Sequence, residues 1–178
     1  MQHPKLKLNS LDQLSKLLLK KIKLNQSNRL MVCIAGAPGS GKSYISSYLL
    51  KKINFIRQQS EIFEMDGFHY DDVILKKKKL IKRKGSQETF DVMGLKSFLQ
   101  RLKTNNEVQV TVPIFDRKLE LSRGSAKIIK NTIPLIITEG NYLLLKQKPW
   151  SELQSYFDLT IMIKSSQKNL SKRLTERW

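Results

Sequence analysis

The sequence predicts an α/β fold with a largely parallel sheet. Three observations carry that expectation: short, continuous apolar runs recur along the chain, segments of helical periodicity separate them, and a glycine-rich turn joins the first run to the helix that follows. A run that is apolar at every position suits a strand buried on both faces, as strands are in a parallel sheet covered by helices. The 178 residues, 40% of them hydrophobic, suffice for one ordinary domain with its own core.

Leu11, Leu14, Leu17, Leu18 and Ile22 have the three-and-four spacing of an amphipathic helix, with Ser10 and Gln13 as a capping box at its start. This helix should dock on the domain, making residues 1–28 an N-terminal helical extension. Leu30 to Ala35 reads as the first buried strand, with Cys33 in the core. Tyr44 to Ile53 then carries helical periodicity, and Glu61 to Met65 reads as a second strand ending at Asp66, which completes a βαβ unit. Gly67 to Thr89 is polar and basic. Lys76 to Lys79 and Lys82-Arg83-Lys84 concentrate cations there, so the segment should be exposed. Asp91 can cap a helix whose apolar face is Val92, Leu95, Phe98, Leu99 and Leu102. Val108, Val110 and Val112 alternate as in a strand. Ile133 to Gly140 is another buried strand, with Pro134 tolerable only at its start. Leu159 to Ile163 reads as a strand, and Ser166 to Trp178 as a helix with Leu170 and Leu174 facing the sheet. No repeat and no Gly/Ser/Pro-rich linker divides residues 29–178, which should form one domain.

Thirty-three Lys and Arg against 15 Asp and Glu give a formal charge of +18. Such a surface favours anionic partners, including phosphorylated metabolites, nucleotides, nucleic acid and anionic membrane, and does not select among them. The single cysteine, Cys33, excludes an intrachain disulfide framework and a multi-cysteine zinc site, and fits a cytoplasmic protein. Apolar runs such as Leu30 to Ala35 and Ile133 to Thr138 fall far short of the ~20 residues that cross a bilayer. The basic N-terminus lacks the continuous apolar core of a signal peptide.

Gly36-Ala37-Pro38-Gly39-Ser40-Gly41-Lys42-Ser43 fits G-x-x-x-x-G-K-[ST] at every fixed position, after a predicted strand and before a predicted helix. Glycines let successive backbone N–H groups converge on phosphate oxygens, and the helix N-terminus adds partial positive charge. Lys42 would lie along the β- and γ-phosphates, and the Ser43 hydroxyl would ligate Mg²⁺. In an open parallel sheet ligands bind outside the C-terminal strand ends, which places Asp66 near Lys42. There Asp66 can orient an alcohol and accept its proton, or it can form, with Gly67, an ordinary turn pair. Glu139 should emerge at the same edge, where it would hold Mg²⁺ directly or through water, or face solvent as a strand-terminal side chain.

These residues resemble the uridine kinase, phosphoribulokinase and bacterial pantothenate kinase group of P-loop kinases, nearest its fructokinase-like, nucleoside/nucleotide kinase-like branch. The resemblance runs from Leu30 to the C-terminus. It rests on Gly36 to Ser43, Met65-Asp66-Gly67-Phe68-His69, Lys84 to Asp91, Val112-Pro113-Ile114-Phe115-Asp116-Arg117, Thr138-Glu139-Gly140-Asn141-Tyr142, and Arg173-Leu174-Thr175-Glu176-Arg177-Trp178. It implies a P-loop NTPase three-layer αβα sandwich with a mainly parallel central sheet, and ATP- and Mg²⁺-dependent phosphorylation of a hydroxyl on a sugar, nucleoside or related metabolite. By the same resemblance Asp66 is the base, His69 and Arg117 face the acceptor along with Asp66 and Glu139, and Arg173 and Arg177 begin a lid over the phosphates. The family pattern continues beyond that last segment, so the C-terminal end of the fold is expected to be missing. A nucleotide-binding regulatory protein with little or no kinase activity is therefore the alternative. Many relatives pair, so a homodimer is compatible. The basic cluster has no interleaved aromatic residues, which disfavours nucleic acid as a partner.

Overall fold

A computed structural model describes residues 10–24, 29–55, 59–166 and 175. The elements in chain order are α1 (Leu11–Leu24), β1 (Leu30–Gly36), α2 (Lys42–Ile53), β2 (Ser60–Glu64), α3 (Asp72–Lys77), α4 (Val92–Thr104), β3 (Gln109–Asp116), β4 (Leu121–Lys130), β5 (Leu135–Gly140) and β6 (Leu159–Ile163). Four of the strands form a parallel sheet in the order β2-β5-β1-β6.

The apolar runs become central strands because both faces of the sheet are covered. Along β1, Leu30, Val32 and Ile34 pack with Leu14 and Leu18 of α1 and Leu49 and Ile53 of α2. Met31, Cys33 and Ala35 point the other way, into a second core built from Leu95, Leu99 and Leu102 of α4 and Val110, Val112 and Ile129 of the β3–β4 hairpin. Alternation of successive side chains thus yields three layers, α1 and α2, the sheet, then α4 with the hairpin. Burial pushes the Cys33 thiol pKa up, so it is an inert core group.

Local signals behave as expected at the helix starts. Ser10 Oγ accepts from Gln13 N at 3.2 Å, and Asp91 Oδ1 accepts from Gly94 N at 2.9 Å. β5 begins at Leu135, one residue past Pro134. Among the described residues no helix is long and apolar enough to cross a membrane.

Three expectations need correction or fall outside the described residues. The strand expected at Val108 starts at Gln109, and it pairs antiparallel with β4 in a separate two-stranded sheet. β4 itself was not expected, because Ser122, Arg123, Gly124, Ser125 and Lys127 give it no apolar stripe. The polar stretch from Gly67 to Thr89 is only partly exposed: Phe68, Leu75 and Thr89 are buried, and Lys84 turns inward. The helix from Ser166 to Trp178, with Leu170 and Leu174, lies outside the described residues.

Three contacts fix the hairpin and the strand ends that frame the site. Lys127 Nζ reaches from β4 to Glu61 Oε2 at 2.6 Å and the Ile62 carbonyl at 2.7 Å on edge strand β2. A Cβ at Gly67 would sit 2.5 Å from the Pro113 carbonyl oxygen, so only glycine lets β3 lie against the turn that carries Asp66. Arg29, 3% exposed, donates to the carbonyls of Ile133 (2.9 Å), Leu102 (3.1 Å) and Lys130 (2.6 Å). Burial pushes its pKa down to about 10, which leaves it charged at neutral pH. It therefore ties the start of β1 to the ends of α4 and β4.

Candidate active site

The loop from Gly36 to Ser43 joins β1 to α2. Gly39 and Gly41 have φ of 75° and 95°, the left-handed region that glycine enters without strain. A side chain at Gly36 would come within 2.8 Å of the Ile163 carbonyl and of Ser40 Oγ, so β6 closes tightly under the loop. Lys42 Nζ folds back to donate to the Ala37 carbonyl at 3.1 Å and to Asn141 Oδ1 at 2.6 Å.

Glu139, next to last in β5, accepts from Ser43 Oγ at 3.0 Å through one oxygen and from Ser46 Oγ at 3.1 Å through the other. A hydroxyl and a carboxylate at hydrogen-bond distance form a hard-oxygen pair. This suits Mg²⁺, which keeps several waters, takes phosphate oxygens and needs few protein ligands. Among the described residues no group of three or more His, Cys, Asp and Glu side chains could hold a metal unaided.

On the other side, Asp66 is the second residue of the short turn Met65–Phe68 that directly follows β2. Its Oδ2 accepts from Arg117 Nη2 at 3.1 Å, just beyond the end of β3. His69 Nδ1 lies 2.8 Å from the Asp66 carbonyl, which can only accept, so Nδ1 donates and the neutral ring keeps Nε2 as an acceptor. The imidazole sits between Phe90 and Phe115, with ring centroids at 4.0 and 4.7 Å. Burial pushes the His69 pKa down, against the opposing pull of the Asp66 carbonyl. Lys84 Nζ bonds Asp72 Oδ1 at 2.7 Å and the Glu120 carbonyl at 2.6 Å, and its side chain is 22% exposed. Glu64 ends β2, opposite Glu139 in register. Burial raises its pKa first, then Glu139 and Asp66, with Lys127 and Arg117 opposing.

These groups line one cavity of about 870 Å³. Pro38, Gly39, Gly41, Lys42, Ser43 and Glu139 stand on the loop side, and Asp66, His69, Lys84, Phe115 and Arg117 on the other. Arg173 and Arg177 lie outside the described residues. The sequence reading assigned no role to Glu64, Lys84 or Asn141. Asn141 follows Glu139 at a strand end and could have been found by its position. Lys84 is indistinguishable from its six basic neighbours until the chain folds, and Glu64 looks like the polar member of an ordinary strand.

A phosphate loop at the C-terminal edge of a parallel sheet, with a strand-end acid beside it, defines a P-loop nucleotide-binding protein of the αβα class. No family model matches the chain. The crystal structure of a candidate fructose transport system kinase from Silicibacter sp. TM1040 superposes with a TM-score of 0.87 at 34% identity, over 95% of this chain and 81% of that one. YggC of Escherichia coli, described as uncharacterized, is 33% identical over 160 residues, 86% of this chain and 64% of its own length. A candidate uridine kinase of Schizosaccharomyces pombe is 31% identical over 142 residues, 76% of this chain and 60% of its own. The chain belongs to the group of P-loop kinases that includes uridine kinase and pantothenate kinase. It spans about half to two-thirds of the length of the curated relatives it matches.

Proposed function

We propose that the chain is an ATP-dependent small-molecule kinase, transferring the γ-phosphoryl group of ATP to a hydroxyl of a sugar, nucleoside or related metabolite. One observation carries this reading: a single cavity sets the phosphate loop and the Ser43–Glu139 pair against the Asp66 carboxylate. Relatives named for fructose, uridine and pantothenate support a small hydroxyl-bearing acceptor.

In this proposal the loop N–H groups and Lys42 hold the phosphates, with Lys42 exchanging Asn141 for phosphate oxygen. Ser43 and Glu139 would hold Mg²⁺, which when bound would withdraw charge from phosphate oxygens. Asp66 accepts the proton of the acceptor hydroxyl as its oxygen bonds to the γ-phosphorus and the bond to the departing ADP oxygen breaks. Arg117 holds the Asp66 carboxylate in place, and His69 borders the acceptor. Arg173 and Arg177 are assigned to the phosphates by the family resemblance. The reading places the protein in the cytoplasm, where its one thiol stays reduced, and is compatible with a homodimer.

The test is ADP formation with Mg²⁺ across sugars, nucleosides, pantothenate and sugar phosphates, with Asp66→Asn as control. Acceptor-dependent ADP formation lost in the variant supports the kinase. Tight nucleotide binding with no turnover of any acceptor would favour the regulatory, nucleotide-binding alternative.

A further inference from the structure

We infer that the acceptor is an uncharged, hydroxyl-rich molecule and that Glu64 selects it by accepting hydrogen bonds from its hydroxyls. The inference rests on the kinase reading above and deepens it.

The charge around the cavity runs against the charge of the chain. The protein carries +18 overall, yet beyond the phosphate loop and its strand-end acid the lining presents Glu64, Asp66 and Glu120 against Lys84 and Arg117. Both cations are already engaged, Arg117 by Asp66 and Lys84 by Asp72 and the Glu120 carbonyl. His69 donates from Nδ1 to the Asp66 carbonyl and adds no charge as a neutral ring. The surplus cations Lys76 to Lys79, Lys82 and Arg83 are exposed and do not line this cavity. An acceptor carrying a carboxylate or phosphate would therefore meet an acidic lining, as well as the phosphates of the nucleotide.

Glu64 has the opposite property. It lines the cavity two residues before Asp66 and opposite Glu139, and its carboxylate makes no hydrogen bond or ion pair with another described residue. An ionised carboxylate offers about four lone-pair positions and donates nothing, so the partners it wants are O–H or N–H donors supplied by a ligand or by solvent. Phe115, half-buried and also in the lining, offers apolar ring surface to the carbon face of such a molecule. A site built to bond substrate hydroxyls discriminates strongly against analogues that lack them, because its polar groups are then left unpaired.

The experiment compares uncharged acceptors (fructose, ribose, uridine, glycerol) with anionic ones (glycerate, pantothenate, ribose 5-phosphate). It uses the full chain and its Glu64→Gln and Glu64→Leu variants, with thermal melting to confirm folding and a fluorescent ADP analogue to measure nucleotide affinity. The expected result is turnover of an uncharged acceptor alone. KM for it should rise about 10-fold in Glu64→Gln, which keeps one carbonyl acceptor, and about 100-fold in Glu64→Leu, with much smaller changes in kcat and nucleotide affinity. Turnover of an anionic acceptor with the uncharged ones silent overturns the inference and leaves the kinase reading standing. An unchanged KM in both variants removes Glu64 from recognition. Nucleotide binding without turnover of any acceptor brings down the kinase reading and this inference with it.

Discussion

The phosphate end of the cavity comes from one unbroken strand, loop and helix, Leu30 to Ile53, completed by Glu139 and Asn141 at a neighbouring strand end. The end proposed for the acceptor is gathered from separate stretches: Glu64 to His69, Lys84 to Phe90, and Phe115 to Glu120. The difference follows from what each end must hold. A phosphate is small, invariant and bound largely by backbone N–H groups, so a short contiguous motif suffices. A metabolite is recognised by side chains around its whole outline, which only a folded chain can assemble.

The sharpest way to separate the two ends is at Asp66 and Lys42. Asp66→Asn should lower turnover about 10³-fold while nucleotide affinity holds, and Lys42→Met should lower both, read by steady-state kinetics and nucleotide titration. Equal loss of nucleotide affinity in both variants would show that the ends are not independent.

Arg29 tests the frame beneath both ends. Arg29→Met removes the guanidinium donor from three carbonyls, of which Lys130's keeps the Ile133 N–H at 3.2 Å, and should cost roughly 3 kcal/mol in urea unfolding. At Gly67 the effect should be smaller and confined to the acceptor end. Gly67→Ala pushes Asp66 and β3 apart, costing about 1–3 kcal/mol and raising the acceptor KM with nucleotide affinity retained.

A subtler effect comes from His69. Its folded pKa lies below the unfolded value of 6.5, so the unfolded chain takes up the proton first. The stability contributed by the neutral ring is complete above that value and is lost as pH falls through it toward the folded pKa. Melting temperatures followed from about pH 7.5 to about pH 5.5 should fall less steeply in His69→Gln than in the parent protein. Smallest of all, replacing Lys76 to Lys79 with Gln should leave turnover within about two-fold, since these side chains are exposed. Lys84→Gln, from the same run of cations, should reduce acceptor kcat/KM about ten-fold, because it releases Asp72 and the Glu120 carbonyl at the cavity rim.

That contrast within one basic run shows where sequence reasoning ends. β1 and β5 were legible because a strand covered on both faces must be almost wholly apolar, β2 and β6 because short apolar stretches stand out even at the sheet's outer positions, and Asp91 and Ser10 announced their helices through cap chemistry. β4 was not legible. It is exposed along most of its length and held by pairing to β3 and by Lys127 on β2, which are contacts between distant residues.

By itself, then, the sequence determined the α/β layering, the phosphate loop and the emergence of Asp66 and Glu139 at one sheet edge, because burial periodicity, glycine geometry and strand ends are local properties. The tertiary structure alone decided that Arg117 meets Asp66, that Lys84 leaves its basic neighbours for Asp72 and the Glu120 carbonyl, and that Glu64 lines the cavity with no hydrogen bond to another described residue. The Arg117–Asp66 and Lys84–Glu120 contacts depend on how the β3–β4 hairpin packs beside the turn after β2, and no local pattern encodes that packing.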